Sequence, residues 1–188
     1  MKRGKKKEQG FSFAETIITA GLIAFILAAL AVLYSNFSKF YNHQKTEIEI
    51  SDSAREAMKQ LRSIVLQADG ILASHSFSGT TYATDQHTVV LEIPSIDGSG
   101  DIVDEGYDYA VFYTTGNSLY KRVLADASSS RSSGTNEISD AVLGIDFTYD
   151  NVDVTMASEI ETDLQMETTY AGETASFDLQ QTLYLRNK

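Results

Sequence analysis

The chain has no cysteine and no tryptophan, one proline, Pro94, and three histidines, His43, His75 and His87. Without thiols there is no disulfide to close a loop and no thiolate to hold zinc. The histidines are scattered and make no recognisable zinc spacing, so they read as surface or edge residues. A G-x-S-x-G nucleophile elbow, a G-x-x-x-x-G-K-[ST] phosphate loop and an H-E-x-x-H helix are also missing. The expectation is that the chain is no enzyme and needs no cofactor. Basic residues are few as well: 15 Lys and Arg against 26 Asp and Glu give a formal net charge of −11. Nucleic-acid affinity rests on clustered Lys and Arg, so direct nucleic-acid binding is not expected.

Charge of either sign is missing from one stretch above all. The 23 residues Thr16 to Ser38 separate Glu15 from the next charge, Lys39. As a helix they reach about 34 Å, enough to cross a hydrocarbon core of about 30 Å. Ahead of them, Met1 to Gly10 holds five basic residues and one acidic, and setting that +4 aside from the chain's −11 leaves −15 on the remainder. The positive-inside rule keeps such a leader in the cytoplasm and sends the acidic C-terminal part outward.

Glu15 is the odd residue, because an ionisable group at the mouth of an apolar helix costs on the order of 2–3 kcal/mol or more unless partnered. A cut after Gly10 would create an amino group on Phe11, four residues before Glu15 and on the same helical face. That cation could neutralise the carboxylate or a neighbour's, and a helix start also favours an anion. Two other readings fit parts of the pattern. A secretory signal has a basic front, but its apolar part is usually shorter, about 7–15 residues. A plain single-pass anchor fits the length and leaves the Gly-Phe junction and the glutamate without a reason.

Gly10-Phe11-Ser12-Phe13-Ala14-Glu15 resembles the leader junction of type IV pilins and pseudopilins. The resemblance implies that a membrane-embedded prepilin peptidase cuts after Gly10 and methylates Phe11, that the apolar segment is retained, and that Phe11 and Glu15 register each subunit in a growing filament. Ser12, Phe13 and Ala14 depart from the family's more usual threonine, leucine and larger aliphatic. Asn36-Phe37-Ser38 matches a glycosylation sequon, but at a membrane boundary it is assigned no role.

Beyond Tyr34 the helix is expected to continue, with Ile50, Ala54, Ala57, Met58, Leu61, Ile64, Val65 and Ala68 at helical spacing and a stop at Asp69-Gly70, glycine readily taking the left-handed conformation. After a polar connection, Ser74 to Gln86, the periodicity turns to alternation. Strands are expected at His87–Ile93, closed by Pro94, at Tyr107–Tyr113 and at Ser118–Val123, the last two joined by a Gly116-Asn117 turn. Asp126 to Asn136 reads as an exposed, mobile loop. Alternation returns at Leu143, Ile145, Phe147 and Tyr149 and at Phe177, Leu179, Leu183 and Leu185, with an uncertain boundary between Val152 and Tyr170. The fold class is therefore α+β: a long N-terminal helix, half transmembrane and half amphipathic, packed on a mainly antiparallel sheet, as in pilins. The segments are a leader over 1–10, a membrane or filament-core helix over 11–38, its amphipathic half over 39–72 and a sheet-rich globular part over 73–188.

The segments from Leu61 to Ile71, Tyr109 to Arg122, Val142 to Tyr149 and Leu183 to Asn187 resemble the J-type minor pseudopilins and minor pilins. That resemblance implies a subunit first held in the cytoplasmic membrane, then packed with other pilin or pseudopilin subunits, with a place at the tip of a type IV pilus or a type II secretion pseudopilus. A monomeric membrane-anchored binding module, and a secreted enzyme whose apolar segment is discarded, are the rival readings. Asp97, Asp101, Asp104, Glu105 and Asp108 gather oxygens of the kind calcium prefers, yet the EF-hand's sixth-place glycine is Ile102. An acidic loop between strands is the plainer reading, and no metal site is assigned.

Overall fold

The computed structural model describes residues 12–170 and 172–186. Two compact units divide the chain, the first ending at Asn42 and the second beginning at His43. The helix α1, Phe13–Val65, supplies most of the first unit and enters the second. Within the second unit its buried residues are Thr46, Ile50, Ala54, Ala57, Met58, Leu61 and Val65. Their three- and four-residue spacing makes one apolar stripe.

Among the described residues ten strands follow: β1 Gly70–Leu72, β2 Ser74–Phe77, β3 Thr80–Ala83, β4 Thr88–Ile96, β5 Ile102–Thr115, β6 Ser118–Leu124, β7 Gly134–Ser139, β8 Val142–Tyr149, β9 Glu159–Tyr170 and β10 Glu173–Tyr184. They form a five-stranded sheet in the order β1-β4-β5-β6-β7, a three-stranded sheet β10-β9-β8 and a hairpin β2-β3, every ladder antiparallel. The α+β class read from the sequence is the observed one.

Period-two alternation decides which side chains meet the helix. Val89, Leu91 and Ile93 of β4, Ala110 and Phe112 of β5, and Leu119 of β6 join the α1 stripe in one core. Ile145 and Phe147 of β8, Ile160, Leu164 and Met166 of β9, and Leu183 of β10 belong to the same cluster, so both sheets share it. The opposite face of the five-stranded sheet has its own small core, Phe77, Val90 and Val111, bordered by Leu72, Tyr82, Tyr109, Tyr113 and Leu124.

Several local expectations are corrected. Gly70 does not take the left-handed conformation; it begins β1 opposite Glu92. The last turn of the helix tightens instead, with the Gln67 amide donating to Ile64 O at 2.9 Å and the Ala68 amide to Val65 O at 3.1 Å. Ser74–Gln86 is not a plain connection, since it folds as the β2-β3 hairpin around Ser78 and Gly79, both at positive φ (50° and 92°). Pro94 does not close β4. The strand runs past it to Ile96 with a register shift between the two, a bulge being where a residue without an N–H is tolerated.

Among the described residues two buried side-chain polar atoms have no match, His43 Nδ1 and the Thr162 hydroxyl. Thr162 of β9 is fully buried and its hydroxyl has no hydrogen-bond partner. Removing an unsatisfied buried hydroxyl at constant shape relieves a desolvation cost. Thr162→Val is therefore expected to stabilise the chain by about 1 kcal/mol, read as a higher thermal midpoint of the full chain in detergent micelles.

Candidate functional site

Gly10 and Phe11, the expected processing junction, lie outside the described residues. The third expected residue, Glu15, stands in the first turn of α1. Its carboxylate accepts from the Ser12 amide at 2.8 Å, and its own amide donates to the Ser12 hydroxyl at 3.3 Å. This is a reciprocal capping box, which satisfies two of the amides that a helix start leaves open. Ser12 thus gives Glu15 a partner within its own helical turn, beside the Phe11 amine expected from cleavage. The S-x-x-E spacing of Ser12-Phe13-Ala14-Glu15 is the sequence signal for this cap.

From Thr16 to Ser38 the helix carries no charge, and its apolar side chains are left uncovered by the chain's own fold: Phe25, Leu33 and Phe37 are 73%, 65% and 65% exposed. It is a candidate membrane anchor by length and composition. The hydroxyls of Thr16 and Thr19 fold back onto the carbonyls of Ser12 and Glu15, at 3.3 and 2.8 Å, so they present little polarity outward. Thr16, Thr19, Ala20 and Ile23 line a shallow hollow of about 340 Å³. Small side chains at this spacing let another helix approach closely.

No family model, curated protein or solved structure matches the chain. The arrangement of its own residues must carry the functional reading.

The acidic stretch does not assemble a cation site. Asp97 turns the β4-β5 hairpin by accepting from the amides of Ser99 and Asp101, at 2.8 and 3.0 Å. Ile102–Gly106, expected as loop, opens β5 ahead of the strand expected from Tyr107. Asp108 leaves the group altogether: it is fully buried and ion-paired to Arg131 at 2.6 Å. Among the described residues no three acidic or histidine side chains come together as metal ligands.

Asp108 organises a different site. It accepts from the Ser95 hydroxyl and the Asp126 amide, both at 2.8 Å, on Oδ1, and from the Ser129 hydroxyl at 2.8 Å on Oδ2. Arg131 also donates to Pro94 O at 2.7 Å and to Gln67 Oε1 at 2.9 Å. Burial pushes the Asp108 carboxyl up, and the bonds from Arg131, the Asp126 amide, Ser129 and Ser95 together outweigh it, holding the carboxyl below its ordinary range. The serine-rich segment expected to be mobile is thus fastened to the end of α1 and to β4 and β5, and its last residues enter β7.

Of the histidines, His75 stacks on Tyr109 with ring centroids 3.7 Å apart. His87, just ahead of β4, has its Nδ1 2.9 Å from Ile145 O and 3.0 Å from Asp146 Oδ1 of β8. The bond to the Ile145 carbonyl, helped by Asp146 and Asp85 against partial burial, raises its pKa. These are structural latches.

Proposed function

We propose that the chain is a structural subunit of the type IV pilin and pseudopilin kind, cut after Gly10 by prepilin peptidase and packed through α1 into a filament. The observation that carries this reading is the charge-free face of α1, uncovered by the chain's own fold, with Glu15 at its mouth. Lipid covers that face in the precursor, and the helices of neighbouring subunits cover it in the filament. The cation made at Phe11 by cleavage, on the same or the adjoining subunit, then competes with Ser12 for the Glu15 carboxylate. A charge-assisted bond is the stronger of the two, which ties register to processing. The chain's role is assembly; it catalyses no reaction and holds no cofactor.

The test begins with mass spectrometry of the natural product's N-terminus, expected at Phe11. A start at Met1, or well beyond Phe13, would sink the proposal. Glu15→Ala is expected to leave membrane insertion normal and to lower filament incorporation by about tenfold or more, since a charge left without its counter-ion in an apolar setting costs more than about 1.4 kcal/mol. The rival reading, a monomeric anchored binding module, draws on the capping box, which satisfies Glu15 within one chain. Indifference of localisation and assembly state to Glu15→Ala would favour it.

A further inference from the structure

Among the described residues the two larger sheets end in four edge strands, β1, β7, β8 and β10. β1 is 3 residues long and β7 is 6. β8 carries a register shift between Val142 and Gly144, and its Val142 and Phe147 amides donate to the loop carbonyls of Asn117 and Gln86, at 2.8 and 2.7 Å. Shortness, bulges and covering loops are the ordinary protections of an edge against strand addition. β10 has none of them. It runs 12 residues, pairs with β9 through all twelve without a shift, and has a strand on one side only. Its sequence contains no Lys, Arg or Pro.

A cleft of about 440 Å³ lies beside this edge, lined by Arg55, Met58, Lys59 and Arg62 of α1 and by Leu179, Gln180 and Gln181 of β10. The floor is apolar and the rim carries three cations, on a chain whose net charge is −11. The local partners of these cations are weak. Arg55 reaches Asp52 at 3.9 Å and Lys59 reaches Glu56 at 3.2 Å, both on the exposed side of the helix, where such pairs contribute little.

We propose that β10 is a docking edge for an extended acidic strand from another protein, which adds to the three-stranded sheet and sets its carboxylates against Arg55, Lys59 and Arg62. Backbone hydrogen bonds along β10 supply affinity, and the cleft selects by charge at alternate positions of the guest. A second copy docking through its own β10 is disfavoured, because two such edges would bring two cationic rims together. This surface needs neither cleavage at Gly10 nor polymerisation, and so goes beyond the filament reading.

The probe is a capped nine-residue peptide alternating Glu with Val, and its counterpart with Lys in place of Glu. Each is added to the full chain in detergent micelles and followed by hydrogen exchange. The Glu peptide is expected to slow exchange in Glu173–Tyr184 and to leave β7 unchanged, while the Lys peptide slows neither. Lys59→Glu with Arg62→Glu, both exposed positions, is expected to weaken Glu-peptide binding at least about fivefold with the thermal midpoint unchanged. Equal effects of the two peptides, protection confined to other strands, or peptide-free protection of β10 that grows with protein concentration would each overturn the proposal, the last by naming a second copy as the occupant. The N-terminal start of the natural product bears on none of these outcomes, so this proposal and the filament reading fail separately.

Discussion

Asp108→Ala is expected to destabilise the second unit by about 3–5 kcal/mol, the cost of leaving one member of a buried ion pair without the other. Arg131 keeps only 18% of its side chain exposed and would be left with neutral acceptors, Pro94 O and Gln67 Oε1. The Ser95 and Ser129 hydroxyls and the Asp126 amide would lose their acceptor at the same moment. Thermal unfolding of the full chain in micelles, followed by near-ultraviolet tyrosine signals, measures the loss. Replacing both partners, Asp108→Leu with Arg131→Met, removes the orphaned charge and should recover most of it. A single variant within about 0.5 kcal/mol of the parent would show that the pair contributes nothing.

The same carboxyl fixes a pH dependence. Its folded pKa lies below the ordinary 3.8, so its contribution is fully present above that value and is lost as pH falls through the lower folded pKa. The parent should therefore lose stability more steeply in acid than Asp108→Ala does.

Phe77→Ala is the second large effect, about 3–5 kcal/mol by analogy with other buried aromatic truncations. Phe77 is fully buried and is the hairpin's main investment in the outer core, against Val90 and Val111. Its ring meets Tyr82 and His75 edge-on at 5.6 and 5.4 Å, and the Arg122 guanidinium lies over it at 6.0 Å. A two-stranded hairpin has little stability of its own. The truncation is expected to release β2 and β3 before the rest unfolds, and hydrogen exchange in Ser74–Ala83 should accelerate more than in β9. Uniform acceleration across both segments would mean that the hairpin and the main core unfold as one.

The long helix and five of the strands were legible because their periodicity is strong and their apolar residues face one core. Val89, Leu91 and Ile93 alternate cleanly, as do Ile145 and Phe147, and each reaches α1 as that pattern requires. The hairpin was hidden because its outer core needs only Phe77 and Tyr82 from a run of small polar residues; the Ser78-Gly79 pair was its one local mark. The fastening of the serine-rich segment was illegible for another reason. Asp108 and Arg131 lie 23 positions apart, and nothing near either residue announces the other, whereas clustered Asp and Glu suggested a solvated loop. At the candidate site the reverse held: Ser12 and Glu15 are local, and the capping pattern could have been read directly.

The fastened serine-rich segment reverses an ordinary choice in protein engineering. A run of small polar residues is where one would splice a peptide tag or a fluorescent reporter, yet Ser129 and Arg131 hold the interior together through Asp108. The hairpin tip at Gly98 and Gly100, where an added side chain meets open space at Gly98, is the place to attach a handle.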